Sequence, residues 1–489
     1  MARIKDLIVN KKTRNDHLQV IKAKLAQNSL VELRLGFEEG EFRSKRDIQS
    51  LIKVIKEKFH HRLSLDKHSC LKSICIGWRL PSFALGPVLQ SVIPEFLQEP
   101  VRVTHIQLNL NNSPWIPEGC LRRIVSWHSL ESLDLRNITL RVRSSPTSRM
   151  SSSSSSSPPL QQPATRRKQR VGIIESRRKT TNSTNSTKEG GDDSEHWKQA
   201  NIVNIVPHVS SNVKSLKLMD CGINKNHIPK LCESIRRRMH SLKKLCLRQN
   251  VALDGGYHHL FELPCISSLD LSLCDLDEND GNWIGRALEK CENEDLVRLS
   301  LAGNYRLSAA VPEVVRAAAI KLTEVDCSFC GVNAKSQRQV FDILAEETSS
   351  SPNDKTCTIK SFRMQGIILS DVEGLINCIR NNSSLRHLVV DHPHEVRSIS
   401  SEGMHQIVAA LKLNYSLELL RFDVIPKQCL DILGDIEFWL KLNRCGRRAF
   451  LQTNGEGVKS WSTILSQGAK SNDHSILFWL LKHGLVMFT

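Results

Sequence analysis

The chain has few aromatic residues and no long apolar run. Only 5% of its 489 residues are aromatic, with three tyrosines among them, so its apolar residues are mostly Leu, Ile and Val. Such residues suit thin, regularly layered cores better than one large irregular core. The longest apolar run, residues 476–481, is far shorter than the roughly 20 residues that cross a bilayer. The sequence therefore predicts no membrane helix and no membrane partner.

The sequence also lacks signs of secretion. The stretch MARIKDLIVNKKTRNDH has no apolar run followed by small residues, as a secretory signal would have. The fifteen cysteines, an odd number, are scattered from Cys70 to Cys445, which favours free thiols in a reducing compartment over a disulfide framework. We therefore expect an intracellular protein, cytoplasmic or nuclear.

No catalytic or cofactor-binding grouping is found in the sequence. HPHEVRS begins like a zinc-protease motif, but Ser398 replaces the second histidine. TNGEGVKS lacks the first glycine of a phosphate-binding loop, and Val458 stands where the lysine should follow. We therefore expect no enzyme activity, no cofactor and no metal.

What the sequence does contain is a repeated frame: apolar, two residues, apolar, one residue, apolar. It is clearest in VKSLKLMDCGI, where Val213, Leu216 and Leu218 predict a strand and Cys221 and Ile223 a turn. Stretches such as SSEGMHQIVAALKLN, with apolar residues at i, i+3, i+4 and i+7, predict helices between the strands. About twelve units are found, with frames that begin at residues 30, 71, 103, 130, 213, 242, 266, 296, 322, 359, 385 and 417.

These frames, with helices between them and entries such as NYSLELL into the next strand, resemble the ribonuclease-inhibitor-like class of leucine-rich repeat proteins. The resemblance covers most of residues 16–424. It implies an α/β solenoid with a curved parallel sheet inside and helices outside. Members of the class bind unrelated partners, so the resemblance does not identify the partner. Some relatives inhibit a nuclease or stimulate a small GTPase, so regulation of such an enzyme is an alternative function for this chain.

One copy of the frame, LTEVDCSFCGV, contains two cysteines at a spacing that zinc and redox sites use. The frame places Cys327 at a buried strand position and Cys330 at the turn position that Asn250 and Asn304 occupy in other units. A zinc site also needs two more ligands at matching spacing, and none is near. We therefore interpret both thiols as structural.

Residues 141–194 interrupt the repeat. They contain RMSSSSSSSPPLQQP and almost no apolar residues, so we expect a disordered segment. Between residues 141 and 191, eleven basic residues face two acidic ones, a local charge of +9 out of +17 for the chain. The repeat resumes at Ile202, Ile205 and Val206, which predict a helix. Seven basic residues in this insert form two clusters: Arg166, Arg167, Lys168 and Arg170, then Arg177, Arg178 and Lys179.

The two basic clusters have three interpretations. They resemble a two-part nuclear import signal, they are a tether for RNA or another anionic partner with the repeats as a spacer, or they have no specific role. Only the first two imply a partner, an import receptor or RNA.

The last segment leaves the frame. DIEFWLKLNRCGRRAFL and DHSILFWLLKHGL predict two apolar helices that cover the open end of the solenoid. This tail is similar to that of leucine-rich repeat proteins of unicellular algae, a resemblance that implies no activity. Arg444, Arg447 and Arg448 form either an anion site or pairs with the carbonyl end of their own helix. We thus divide the chain into repeats at 1–140, the insert at 141–194, repeats at 195–424 and a helical cap at 425–489.

Residues between the buried strand positions are predicted to line the concave face of the sheet. They are of mixed sign, with a basic patch at 217–248 and an acidic one around 270 and 324–326. We expect a non-enzymatic scaffold that binds another protein through this face. The predicted contact residues are Lys217, Lys244, Arg248, Asp270, Arg298, Glu324, Asp326, Arg363 and Arg421.

Overall fold

The computed structural model of the chain describes residues 32–36, 73–77, 103–109, 116–138, 140–143, 197–250, 256–345, 357–390, 399–422 and 430–444, together with 447 and 466. Most of the predicted insert, including its two basic clusters, and the second helix of the predicted cap lie outside these residues.

Twelve parallel strands form one open sheet in which each strand pairs with the next repeat along the chain. The strands of this sheet are β1 (Glu32–Gly36), β2 (Ser73–Gly77), β3 (His105–Asn109), β5 (Ser132–Arg136), β8 (Ser215–Met219), β9 (Lys244–Cys246), β10 (Ser268–Asp270), β11 (Arg298–Ser300), β12 (Glu324–Asp326), β13 (Ser361–Arg363), β14 (His387–Val389) and β15 (Leu419–Arg421). Each of the twelve predicted strands is present, so the predicted solenoid architecture is confirmed.

Helices connect the strands on one side of the sheet. They are α1 (Glu118–Val125), α2 (Ile228–Arg238), α3 (His258–Phe261), α4 (Glu278–Lys290), α5 (Val311–Ala319), α6 (Ala334–Ala345), α7 (Val372–Asn381), α8 (Ser401–Leu413) and α9 (Leu430–Arg444). None of the described helices is long and apolar enough to span a bilayer.

The core is a thin layer between the sheet and the helices. In β8, Leu216 and Leu218 are fully buried whereas the residues on either side of them are not, because side chains alternate between the two faces of a strand. Helices supply the other half of the layer, as Ile284 and Leu288 do from α4. Each unit buries its apolar face only against its neighbours, which is the packing of a solenoid.

A ladder of alternating Cys and Asn side chains joins consecutive units behind the strands. Asn304 is fully buried; its amide donates to the carbonyls of Leu271 (3.0 Å) and Leu301 (2.6 Å), and its oxygen accepts from the backbone of Cys274 (2.8 Å) and Leu276 (3.2 Å). Asn250 makes the equivalent four bonds in its own unit.

At the alternate units of this ladder a thiol takes the place of the amide. Cys221, Cys274 and Cys330 each donate to a carbonyl of the preceding unit, at 3.4, 3.3 and 3.2 Å. Cys330 therefore occupies the turn position that the repeat frame predicts, and Cys327 is fully buried in the core. Burial raises the pKa of Cys330 to about 12 and holds the pKa of Cys327 well above the usual value of a thiol, so both thiols stay protonated at neutral pH.

A second ladder of asparagines lies at or near the C-terminal ends of α7, α8 and α9. Asn382 donates to the carbonyl of Leu344 (2.5 Å), and Asn414 donates to the carbonyl of Asn382 (2.8 Å). Asn443, near the end of α9, continues the series with bonds to the carbonyls of Asn414 (3.1 Å) and Leu417 (2.8 Å). The first helix of the predicted cap is thus held in the same way as the helices of the repeats before it.

The prediction of a helix at Ile202, Ile205 and Val206 is wrong. Two 3₁₀ turns, Ile202–Asn204 and Val206–His208, take its place, although Ile202, Ile205 and Val206 are buried as predicted. Pro207 cannot donate the backbone hydrogen bond that an α-helix needs at this point.

A second, three-stranded sheet marks the ends of the insert. It contains β4 (Ile116–Pro117), β6 (Leu140–Arg143) and β7 (Trp197–Ala200). Strands β6 and β7 are antiparallel, with Arg143 paired to Trp197. The first three residues of the predicted insert, 141–143, are therefore part of a strand, and the segment leaves and rejoins the fold at one place.

Candidate protein-binding face

The face of the sheet that no described helix covers, called the uncovered face below, carries side chains in columns that the strand register fixes. The leading column runs through the first residue of each three-residue strand from β9 to β15 and the central column through the last residue, with Ser215 and Lys217 at the matching positions of β8. Register joins the members of both columns from one strand to the next. From β8 to β15 the central column is Lys217, Cys246, Asp270, Ser300, Asp326, Arg363, Val389 and Arg421, and the leading column is Ser215, Lys244, Ser268, Arg298, Glu324, Ser361, His387 and Leu419.

Eight of the nine predicted contact residues lie in these two columns. The ninth, Arg248, lies just past the end of β9, exposed on the opposite flank of the central column. Eight of them belong to one sheet with continuous register and Arg248 lies just past the end of one of its strands, so the structure brings the nine residues onto one surface rather than scattering them.

The positive charge of the predicted basic patch is partly neutralised by Asp134, which is not among the predicted contact residues. Asp134, the neighbour of Lys217 in the register, lies 3.7 Å from the Lys217 ammonium group. The same carboxylate receives two hydrogen bonds from Arg136, at 2.9 and 2.7 Å. Lys244 and Arg248 form no ion pair with the residues that the structure describes. They are the cations of this patch that stay available.

Arg298 and Glu324 pair with each other. They are neighbours in the leading column, and the guanidinium group donates two hydrogen bonds of 2.5 Å to the carboxylate. The hydrogen bonds from Arg298 lower the pKa of Glu324, against a smaller opposing effect of burial, and Arg363 and His387 lower it further. Because both partners are almost half exposed, the pair contributes little to stability, but it removes two free charges from the face.

Asp270 and Asp326 accept hydrogen bonds but form no ion pair among the described residues. One carboxylate oxygen of Asp270 accepts from the amide (3.0 Å) and hydroxyl (2.5 Å) of Ser272, and the other lies 3.2 Å from the Cys246 thiol. Asp326 accepts from the amide of Ser328 (3.0 Å). Within the described part of the chain, neither carboxylate pairs with a cation. These hydrogen bonds orient two acidic groups, two units apart, on the open face.

The structure adds an apolar rim that the sequence analysis missed. Leu273, Tyr305, Phe329 and Ile368 lie beyond the ends of β10, β11, β12 and β13 and are 37, 66, 55 and 60% exposed. The signal was present in the sequence, since these turn positions hold apolar residues where other units have Gly, Asn, Asp or Gln. Only the strand positions of the frame were used to choose contact residues.

The tail arginine Arg447 is a structural tie and not an anion site. Its guanidinium group donates to the carbonyls of Leu411 (3.3 Å) and Lys412 (2.6 Å), at the end of α8. It also lies 4.5 Å from the ring centres of both Tyr415 and Trp439. The carbonyl end that it satisfies belongs to the preceding helix, whereas the sequence analysis assigned it to the arginine's own helix. Burial lowers the pKa of this guanidinium group.

In the part of the chain that the structure describes, no group of three or more His, Cys, Asp or Glu side chains is placed to hold a metal ion. The thiols of Cys327 and Cys330 belong to the core and the ladder. The chemistry that the described face offers is thus hydrogen bonding, charge and apolar contact.

Strand order and register define the class of the chain: it is a leucine-rich repeat solenoid of α/β type. No family model and no curated protein matches the sequence.

Solved structures give more distant similarities. The tropomodulin C-terminal domain of Caenorhabditis elegans is 14% identical over 35% of this chain and 96% of that chain, with a TM-score of 0.29. The leucine-rich repeat-containing protein LegL7 of Legionella pneumophila is 18% identical over 48% and 74%, with a TM-score of 0.33. A chain of the yeast Rad7 and Elc1 complex is 13% identical over 45% and 46%, with a TM-score of 0.28. All three scores are below 0.5, so the fold class follows from this chain's own strands.

Proposed function

We propose that the protein is a non-enzymatic scaffold that binds another protein through the uncovered face of its sheet. The observation that carries the proposal is the register: side chains that are mostly polar or charged stand in continuous columns on a backbone fixed by parallel pairing. Such a preorganised surface loses little conformational entropy when a partner binds.

The charges of the face support recognition of a particular partner more than general solubility. Lys244, Arg363 and Arg421 are exposed cations, whereas Asp270 and Asp326 present acidic groups between them. A surface with both signs in fixed positions favours partners with the complementary arrangement and repels others. We also propose the ribonuclease-inhibitor-like class as the subtype of the repeat, since buried Cys and Asn alternate in the first ladder.

The proposal is tested by a charge reversal on the face with a matched control. The face variant carries Lys244→Glu, Arg363→Glu and Arg421→Glu. The control makes the same change in charge at three exposed cations of the outer helices: Lys230→Glu, Arg338→Glu and Arg380→Glu.

Tagged proteins are incubated with native extract, and the bound proteins are quantified by mass spectrometry. We expect a discrete protein to be recovered with the wild type and the control, and to be at least about tenfold depleted with the face variant. Equal recovery with the face variant and the wild type would show that the partner does not use this surface.

A second candidate function belongs to the basic insert. Because β6 and β7 pair, the segment between them leaves and rejoins the fold at one point, and it carries nine of the eleven basic residues counted between residues 141 and 191. We propose this segment as an accessory contact for RNA or an import receptor. Deletion of residues 144–196 should abolish RNA recovery and its steep salt dependence while leaving the protein partner bound. Loss of the protein partner on deletion would reverse the roles of insert and solenoid.

A further inference from the structure

The apolar rim, made of Leu273, Tyr305, Phe329 and Ile368, is an unusual surface because its residues come from four consecutive units. Two of its members lie three residues past the end of their strands and two lie five residues past it. All four are between 37 and 66% exposed. Scattered exposed apolar residues need no explanation, but a row on one rim marks an interaction surface.

Two rim residues have a backbone conformation that their side chains disfavour. Leu273 has a φ of 57° and Phe329 a φ of 56°, in the left-handed region, which a bulky side chain rarely adopts. The same turn position in other units holds Asn137, Asp220, Gln249, Gly303 and Gly366, four of which are typical left-handed residues. Strained conformations of this kind concentrate at functional sites.

The neighbouring units make room for these two side chains. Leu273 lies over Gly303, and the ring of Phe329 lies over Gly366, so that a Cβ atom on either glycine would overlap the apolar side chain. Large residue and glycine thus alternate along the row. Since neighbouring strands are about 4.8 Å apart, the two apolar side chains are held about 10 Å from each other. This is about the separation of side chains seven apart on one face of a helix.

Acidic groups border the rim in the same two units. Asp270 precedes Leu273 by three residues, and Asp326 precedes Phe329 by three residues. Both carboxylates are held by hydrogen bonds and have no ion-pair partner among the described residues. Arg363, in the next unit, is the nearest cation of the central column.

The other flank of the rim is also acidic on balance. Arg306 lies 3.7 Å from the carboxylates of both Asp275 and Asp277, so two negative charges share one positive charge. Acidic residues therefore stand both before and after Leu273 in the chain.

We infer that the apolar rim and the two free carboxylates bind a cationic peptide segment of the partner protein. Its apolar side chains contact Leu273 and Phe329, and its Lys or Arg side chains pair with Asp270 and Asp326. This inference rests on the proposed function and specifies the chemistry of the partner. Apolar anchors with oppositely charged surroundings are a common way to recognise a peptide segment.

The experiment uses a phage-displayed library of random peptides selected against the intact chain. Leu273→Asn/Phe329→Asn is the test variant, because Asn tolerates the left-handed region and keeps the fold. Trp283→Ala is the matched control, since Trp283 is 55% exposed, as Phe329 is, but lies on helix α4. A third variant, Asp270→Asn/Asp326→Asn, tests the charges, and a thermal melt confirms that each variant is folded.

We expect the selected peptides to combine large apolar residues with Lys or Arg. Synthetic copies should bind the rim variant about tenfold or more weakly, bind the Trp283→Ala control as they bind the wild type, and lose affinity for the carboxamide variant and at high salt. Selection of acidic or uncharged peptides, of none, or of peptides that bind the rim variant normally would overturn the inference.

The two proposals fail in different ways. If the Lys244, Arg363 and Arg421 face variant loses its natural partner but the library gives no cationic peptide, the scaffold function stands and the inference about the rim is wrong. If the face variant keeps its partner and the rim variant loses its peptides, the rim binds segments by itself and the sheet face does not take part.

Discussion

Asn304 provides a direct test of how the repeats are held together. Its side chain makes four hydrogen bonds at a fully buried position. Asn304→Ala leaves the backbone amides of Cys274 and Leu276 and the carbonyl of Leu271 without these partners. Each buried polar group left unpaired costs about 1–3 kcal/mol. We therefore expect the free energy of unfolding to fall by at least about 3 kcal/mol.

The matched control is Cys330→Ala, the next step of the same ladder. The Cys330 thiol donates to the carbonyl of Leu301, which also accepts the shorter bond from Asn304. No backbone group is orphaned by this change, so the expected loss is about 1 kcal/mol, mainly from the buried sulfur atom.

Urea unfolding measures the two free energies, and hydrogen exchange locates the effect. The backbone amides of Cys274 and Leu276 should exchange faster in the Asn304 variant than in the wild type. In the Cys330 variant their exchange rates should equal those of the wild type. Equal shifts of the urea midpoint in the two variants, or unchanged exchange at both amides in the Asn304 variant, would refute the argument that unpaired backbone groups determine the cost.

Two further predictions concern turn glycines and the surface ion pair. Gly331 and Gly222 share a φ of 66°, but a Cβ on Gly331 would overlap the carbonyl oxygen of Tyr305 whereas one on Gly222 meets nothing. Thermal melts should therefore show a loss of about 1 kcal/mol for Gly222→Ala and about 3 kcal/mol for Gly331→Ala; equal losses would contradict the overlap. Because its folded-state pKa is lowered, Glu324 adds stability above its unfolded pKa, and this is lost as the pH falls through the folded value. An NMR titration should find that Arg298→Met raises the pKa of Glu324, and an unchanged value would contradict the pairing.

The strands were predictable because only one alignment of the apolar frame buries all its apolar residues. A shift of one residue would turn Leu216 and Leu218 towards solvent, so the pattern fixes which residues face outwards and which units pair. The turn position of Cys330 follows from the same frame. The helix predicted at Ile202 failed because periodicity ignores Pro207, which has no N–H group for the helix.

The binding face was predictable only in outline. The frame identifies Arg298 and Glu324 as outward-facing, but their pairing depends on side-chain conformations that the pattern does not contain. Leu273 and Phe329 were missed for another reason. They lie in turns, whereas only the strand positions of the frame were used to choose contact residues. Their left-handed conformation was not predictable either, because such turns are recognised in a sequence by Gly, Asn or Asp.

Strands β5 and β8 are neighbours in the sheet although they are far apart in the sequence. Five register pairs, including Asp134 with Lys217, join these strands although the whole insert lies between them in the sequence. Leu135 pairs with Leu218 in the register of this junction, just as Leu108 pairs with Leu135 between β3 and β5. Parallel pairing and buried leucines hold this junction together. A protein cut once within residues 144–196 should therefore remain a single particle, and a foreign domain placed there would be carried by an unaltered sheet.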